Sequence, residues 1–134
     1  MRVQIALCSV AACLSLAPIL VAQDAVKVDP NHYTVVSEND QVRILKVHYG
    51  PHEKSVMHSH PNTVAVFLSD SKGEFTFPGG KKQDITAKAG EAQYETAVTH
   101  LPENTSDKPM DVIVVELKGH AAKTAKSKMK SETK

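Results

Sequence analysis

The chain has 134 residues, of which 41% are hydrophobic and 23% charged, a composition that fits one globular domain and excludes a large multidomain enzyme. Aromatic residues make up only 4% and Trp is absent, so few side chains could stack on nucleic-acid bases. The formal net charge of +1 provides no general attraction to nucleic acid or to an anionic membrane surface.

The N-terminal segment, residues 1–22, is typical of a secretory signal peptide. One basic residue, Arg2, precedes an almost uncharged apolar stretch, and the small residue Ala22 stands where polar sequence begins. We therefore expect cleavage after Ala22 and export to the periplasm or the extracellular space, with no stable membrane insertion of the mature chain. A retained membrane anchor and lipidation at Cys13 are the alternatives, and the sequence favours cleavage over both.

Both cysteines, Cys8 and Cys13, lie in the segment that we expect to be removed. The mature chain would then have no disulfide, thiolate ligand or cysteine nucleophile, although exported proteins are free to form disulfides. Its stability would have to come from a packed core or from a metal ion.

The C-terminal segment, residues 121–134, contains five lysines and a single acidic residue, Glu132. Such a segment is predicted to be a disordered, solvated tail; contact with anionic lipid or cell-wall polymer is the alternative. The predicted organisation is therefore a signal peptide over 1–22, one domain over 23–120 and a Lys-rich tail over 121–134.

The middle of the chain has the pattern of an all-β domain. Residues 41–49 alternate with period two, which places Arg43, Leu45, Val47 and Tyr49 on one face of a strand. Gly, Pro, Asn, Asp and Ser clusters separate the runs, and none of them has helical periodicity. Strands at this spacing predict a sandwich or a small barrel. The predicted strands cover residues 33–36, 41–49, 56–60, 64–68, 74–77, 83–87, 92–96, 100–103 and 112–117.

Histidines carry the strongest chemical signal. Of the seven in the chain, four (His48, His52, His58 and His60) fall within thirteen residues. One residue separates His58 from His60, so on a strand both project from the same face, roughly 6.5–7 Å apart along the chain at ~3.3 Å per residue. Two imidazoles at that spacing can converge on one ion. The best candidate for a third ligand is His100, which follows a turn at residues 97–99.

The order of these residues resembles two consecutive motifs of the cupins, a family of small β-barrels that hold one metal ion inside the barrel. The resemblance covers about residues 31–118 and identifies the chain as an exported bacterial member of the cupin type-2 conserved barrel family. It implies a double-stranded β-helix, or jelly-roll, barrel with His58, His60 and His100 as metal ligands. The matching residues are Gly50, His58, His60, Pro61 and Gly73 in the first motif and Gly90, Tyr94, Ala97, His100 and Asn104 in the second.

The chain departs from the family pattern at one ligand. Cupins commonly supply a Glu a few residues after the second histidine, but residues 62–65 of this chain are Asn, Thr, Val and Ala. The expected site is therefore three histidines with open positions for one divalent ion, Fe(II), Mn(II), Ni(II), Cu(II) or Zn(II). Thiol dioxygenases and the dioxygenase that cleaves acetylacetone are similar cupins in which three histidines hold Fe(II).

Two classes of function fit these residues. The first is an enzyme, either a dioxygenase-type oxidoreductase or an isomerase or lyase in which the metal polarises a carbonyl and His52 or Tyr94 acts as the base. The second is a non-catalytic module that binds metal or a small ligand without turnover. Both predict a small-molecule ligand and no nucleic acid, and the exposed edges of a barrel would allow a homodimer.

Three further polar residues lie near His100 in the sequence. Glu95 and Glu103 are candidates to accept a hydrogen bond from a ligand imidazole, although a solvent-exposed carboxylate is the default for each. Asn104 is predicted to be a turn residue that bonds to the backbone rather than a catalytic group.

Overall fold

A computed structural model describes residues 23–119 of the chain. The predicted signal peptide, the predicted tail and His120, the last residue of the predicted domain, lie outside the described residues. Within the described range, none of the helical structure has the length and apolar character needed to cross a membrane.

The described chain forms nine strands and one short helix. This confirms the all-β prediction, and every predicted strand is found with its ends shifted by no more than three residues; the short helix was not predicted. The elements are α1 (Ala25–Val28), β1 (Tyr33–Glu38), β2 (Val42–Tyr49), β3 (His58–His60), β4 (Thr63–Phe67), β5 (Ser71–Thr76), β6 (Lys82–Ala87), β7 (Ala92–Glu95), β8 (Val98–Asn104) and β9 (Met110–Leu117).

The strands form two antiparallel sheets that make a jelly-roll sandwich. The five-stranded sheet has the order β1-β2-β9-β4-β7, and the four-stranded sheet has the order β3-β8-β5-β6. Neighbours within the sheets are mostly far apart in sequence, as in the pairing of β2 with β9 and of β3 with β8. The strand that carries His58 and His60 therefore lies beside the strand that carries His100.

Period-two patterning determines which side chains reach the core. In β2 the predicted alternation is confirmed, because Leu45, Val47 and Tyr49 on one face are buried while Lys46 and His48 on the other face are exposed. The same alternation buries side chains of β4 and β9 against it. The core consists of Ala25, Tyr33, Leu45, Val47, Tyr49, Ala65, Phe67, Ala87, Met110 and Val112.

Steric constraints explain why two residues of the family motifs are glycines. A Cβ at Gly73 would lie 2.5 Å from the backbone oxygen of Glu103 on the adjacent strand, closer than real Cβ atoms approach. Gly90 has a φ of +89° in the turn before β7, a conformation that other residues rarely adopt. The buried Asn104 has the predicted turn role, because its Nδ2 donates to the backbone oxygens of Gly50 and Lys108.

The segment before β1 fastens the histidine strand in place. Asp24 caps α1 by accepting hydrogen bonds from the backbone nitrogens of Val26 and Lys27. The backbone nitrogen of Ser59, between the two histidines of β3, donates to the backbone oxygen of Gln23 at 2.7 Å. The outer edge of β3 is thus covered by the N-terminal end of the described chain.

Candidate metal centre

Strand pairing assembles three histidines in the interior. His58 lies directly opposite His100 in the antiparallel pair of β3 and β8, and His60 shares the inward face with His58. All three are buried, and one ring nitrogen from each lies within 4.8 Å of the other two. The structure thus brings together the three residues that the sequence predicts as metal ligands.

Hydrogen bonds determine which ring nitrogens of His58 and His60 are free. Nδ1 of His58 lies 2.8 Å from the backbone oxygen of Val56, which can only accept, so this nitrogen carries the proton. Nδ1 of His60 lies 2.7 Å from Oε1 of Glu116, and the carboxylate is again the acceptor. With Nδ1 as the donor of each ring, Nε2 is the atom of both rings that is left to offer a lone pair.

The two free nitrogens point at each other. Nε2 of His58 and Nε2 of His60 are 3.1 Å apart inside the protein, and two lone pairs at that distance repel unless a proton or a cation lies between them. Nitrogens bound to one ion at ~2.0–2.1 Å with tetrahedral to octahedral angles are about 2.9–3.4 Å apart. The spacing of these atoms fits two ligands of a single divalent ion.

Within the described chain, no hydrogen bond accounts for the burial of the His100 ring nitrogens. Its side chain is packed against the Phe75 ring, with ring centroids 4.4 Å apart, and neither ring nitrogen has a hydrogen-bond partner among the described residues. An unpaired buried polar group is costly, and the lone pair of a neutral imidazole is satisfied by coordination to a metal. His100 therefore fits the third ligand position.

An ion-pair chain lies behind His60. Oε2 of Glu116 accepts from Nε of Arg43 at 2.5 Å, and a terminal nitrogen of Arg43 donates to Asp24 at 2.6 Å. Burial alone would raise the pKa of Glu116, but the hydrogen bonds from His60 and Arg43 outweigh it and hold that pKa below its usual value. The ionised carboxylate orients the His60 ring and increases the electron-donating strength of its Nε2.

A second hydrogen-bond network, which ends at Asp29, lies behind His58. The Ser55 hydroxyl donates to Oδ2 of Asp29, and its oxygen lies 3.3 Å from Nδ1 of His58. The backbone oxygen of Val56 is the closer partner of the same nitrogen. His58 is thus oriented by uncharged oxygens, whereas His60 is oriented by a carboxylate.

Burial also determines the protonation of two of the clustered histidines. It lowers the pKa of His58 to about 4 and that of His100 to about 3, with further lowering from the neighbouring histidines. Both rings are therefore neutral at physiological pH. A metal ion does not have to displace a proton from either ring.

A small cavity of about 60 Å³ opens beside the histidines. Its polar wall contains His60, His100 and Glu95, together with Tyr33 and Tyr49, whose hydroxyl oxygens are 2.8 Å apart. The rest of the wall is almost entirely apolar, and it contains no Lys or Arg from the described range. The apolar lining residues are Val47, Ala65, Phe67, Phe75, Ile85, Pro102, Met110, Val112 and Val114.

The two residues predicted as bases are not part of this cavity wall. The His52 side chain is 61% exposed and its Nε2 lies 2.7 Å from Oδ1 of Asp107. Tyr94 is 60% exposed. Neither residue is among those that line the cavity.

Glu116 is the residue that sequence analysis missed. The carboxylates considered as partners for a ligand imidazole were Glu95 and Glu103; Glu103 instead lies 3.9 Å from Lys54, and neither bonds to a histidine of the cluster. A signal was present, since Glu116 continues the inward-facing series of Met110, Val112 and Val114 in β9. A carboxylate on an apolar inward face requires a buried partner.

Solved structures with similar folds are cupins or double-stranded β-helix proteins. A cupin domain from Bordetella pertussis Tohama I is 21% identical, with a TM-score of 0.60 over 65% of this chain and 92% of that chain. A double-stranded β-helix protein from Klebsiella pneumoniae is 22% identical, with a TM-score of 0.54 over 66% of this chain and 77% of that one. At such identities the similarity shows the fold alone.

A third similar structure is an RmlC-like cupin from Methanocaldococcus jannaschii, which is 13% identical with a TM-score of 0.52 over 63% of this chain and 77% of that chain. No curated protein matches the chain. The family model for the cupin domain matches residues 45–116, which span β2 to β9 and include all three histidines. The chain therefore belongs to the cupin domain family.

Proposed function

We propose that this cupin binds one divalent transition metal ion through Nε2 of His58, Nε2 of His60 and a ring nitrogen of His100. The observation that carries the proposal is the pair of Nε2 atoms 3.1 Å apart, beside a third buried histidine whose ring nitrogens have no hydrogen-bond partner in the described part of the chain. The site would leave coordination positions open towards the cavity, because His60 and His100 both line it.

We further propose that a small molecule occupies the cavity and reacts there as in a dioxygenase-type oxidoreductase. When the ion is Fe(II), it supplies a place to bind O2 together with the substrate. The protein's own part is to orient the ligands through Glu116 and Val56, to exclude water with the apolar wall, and to keep the phenols protonated. Burial raises the pKa of Tyr33 well above its usual value, so its hydroxyl remains a hydrogen-bond donor.

A non-catalytic binding module is the second candidate. One observation favours it: the side chains expected to move protons, His52 and Tyr94, are both more than half exposed and lie outside the cavity wall. An isomerase or lyase would require such a base beside the substrate. The geometry therefore does not support His52 or Tyr94 as that base, and the carboxylate that lines the cavity is that of Glu95.

Binding of nitric oxide, a stable analogue of O2, tests the oxidoreductase proposal. The protein loaded with Fe(II) without oxygen should bind nitric oxide and develop the corresponding electron paramagnetic resonance signal. His100→Ala should lose the signal, and His48→Ala, which removes an exposed histidine, should keep it. Iron loading of the wild type without any nitric oxide adduct would contradict an open position and favour the binding module.

Export and self-association are also part of the proposal. The sequence of residues 1–22 supports cleavage after Ala22, which the mass of the protein from its native compartment would test. Strand β1 is an edge of the five-stranded sheet and exposes 40% of Val35 and 61% of Val36, features that support a homodimer. Sedimentation equilibrium would test it, and a monomer at all concentrations would contradict it.

A further inference from the structure

Glu95 occupies a position that the proposed metal ligands do not use. It is the last residue of β7 and lies directly opposite Thr63 of β4, so the two side chains project from the same face of the sheet. Thr63 is buried, and both residues line the cavity beside His60 and His100. Among residues 23–119, Glu95 is the only one that contributes a carboxylate to that wall.

The Glu95 carboxylate has nothing to bind within the described chain. It forms no hydrogen bond and no ion pair with residues 23–119, and its nearest titratable neighbour of the cluster is His60. It also lies outside the cluster of ligand nitrogens that are within 4.8 Å of one another. The carboxylate is partly buried, so it has lost part of its hydration without gaining a donor among the described residues, and this burial raises the pKa of Glu95.

The remainder of the wall restricts what could supply that donor. Apolar side chains dominate the cavity, and none of the described residues that line it is Lys or Arg, so these residues offer no cation to an anionic group far from the metal. The volume of about 60 Å³ accommodates only a few non-hydrogen atoms, so one molecule could contact the metal and Glu95 at the same time.

We infer that Glu95 contacts the small molecule bound beside the metal, and that this molecule carries an N–H or O–H group whose hydrogen the carboxylate accepts. The inference rests on the proposed metal site and adds the class of ligand. The ligand has a lone pair for the metal at one end and a hydrogen-bond donor at the other. Glu95 is then the residue that discriminates against molecules of the same size that lack the donor.

Hydrazine and methylamine provide a matched pair of probes. Each binds a metal through an NH2 group and has two non-hydrogen atoms, but the far end is NH2 in hydrazine and CH3 in methylamine. The protein is loaded with Co(II) in the absence of oxygen, and the visible spectrum of the ion reports binding of each amine. Dissociation constants are corrected for the protonated fraction of each amine.

The measured quantity is the ratio of the dissociation constant of methylamine to that of hydrazine. This ratio should be roughly tenfold larger in the wild type than in Glu95→Met, because a hydrogen bond to a charged group contributes at least ~1.5 kcal/mol. Met has a length similar to that of Glu and no acceptor oxygen, so the comparison retains the bulk of the side chain. Glu95→Gln keeps a weaker acceptor, so its preference for hydrazine should be intermediate between those of the wild type and Glu95→Met. It replaces Glu95→Met in the comparison if that variant does not fold. Glu103→Gln, on the outward face of β8, should keep the wild-type preference.

Two results would overturn the inference, and they are distinguishable. An equal preference for hydrazine in the wild type, Glu95→Met and Glu95→Gln would show that the ligand does not contact Glu95. If these proteins still bind Co(II), the proposed metal site would stand. Failure of the wild type to bind Co(II) would overturn the proposed metal site and the inference with it.

Discussion

At the scale of single residues, the three histidines are not equivalent. His60 donates to an ionised carboxylate, His58 donates to a backbone oxygen, and His100 has no hydrogen-bond partner among the described residues. The carboxylate makes His60 the strongest electron donor of the three. Metal affinity should therefore depend on Glu116 even though this residue lies behind the ligand.

Replacing Glu116 by Gln tests this dependence. The amide can still hydrogen-bond but carries no charge, so we expect the dissociation constant for Zn(II) to rise by about 10–100-fold, which competition with a chromophoric chelator would measure. Glu103→Gln, which removes a carboxylate on the outward face of β8, should bind like the wild type. Unchanged affinity in Glu116→Gln would show that the carboxylate only stabilises the fold.

Much of the site could be read from the sequence, and the exception has a physical reason. The His-x-His spacing predicts two side chains on one face, and the family motifs add His100. The hydrogen bond between His60 and Glu116 could not be predicted, because it depends on the position of β9 between β2 and β4. In that position Glu116 lies opposite both Arg43 and Thr63. Registers between strands some 50–70 residues apart are not encoded in local periodicity.

At the scale of elements, the fold depends on close contact between β5 and β8. Gly73 faces the backbone of Glu103 so closely that a methyl group would force the strands apart. Because β8 carries His100, any displacement there would also move a proposed ligand. The strands themselves were predictable from alternation and turn residues, whereas α1, with only four residues, is too short to show helical periodicity.

Gly73→Ala should therefore destabilise the protein, by about 1–3 kcal/mol from overpacking. Chemical denaturation of the metal-free protein would measure the loss. Gly119→Ala is the matched control, because a Cβ there meets no atom within 4 Å and should change stability little. A Gly73→Ala variant as stable as the control would mean that the strands separate at no cost.

At the scale of the whole molecule, the buried histidines link stability to pH. The ordinary pKa is 6.5, and burial lowers it to about 4 for His58 and about 3 for His100 in the folded state. The unfolded chain therefore binds more protons than the folded chain between these values. Stability is full above about pH 6.5 and decreases as the pH falls towards 3.

Thermal unfolding of the metal-free protein should thus occur at a lower temperature near pH 4.5 than near pH 7.5, by an amount worth a few kcal/mol at most. His100→Gln removes one of the two groups and should reduce the pH dependence. His48→Gln removes an exposed histidine and should leave it as in the wild type. Equal pH dependence in all three proteins would contradict the burial argument.

The central claim is that one metal ion belongs to the three-histidine site. Its most direct test is elemental analysis of the full protein, purified from its native compartment without an affinity tag or chelator. Two double variants accompany it: His58→Ala/His60→Ala, which removes two buried ligands, and His48→Ala/His52→Ala, which removes two exposed histidines. We predict about one equivalent of a single transition metal per chain in the wild type and in His48→Ala/His52→Ala, and no metal in His58→Ala/His60→Ala. Metal at the same level in all three proteins, or in none of them even after incubation with Fe(II), Mn(II), Ni(II), Cu(II) and Zn(II), would contradict the account.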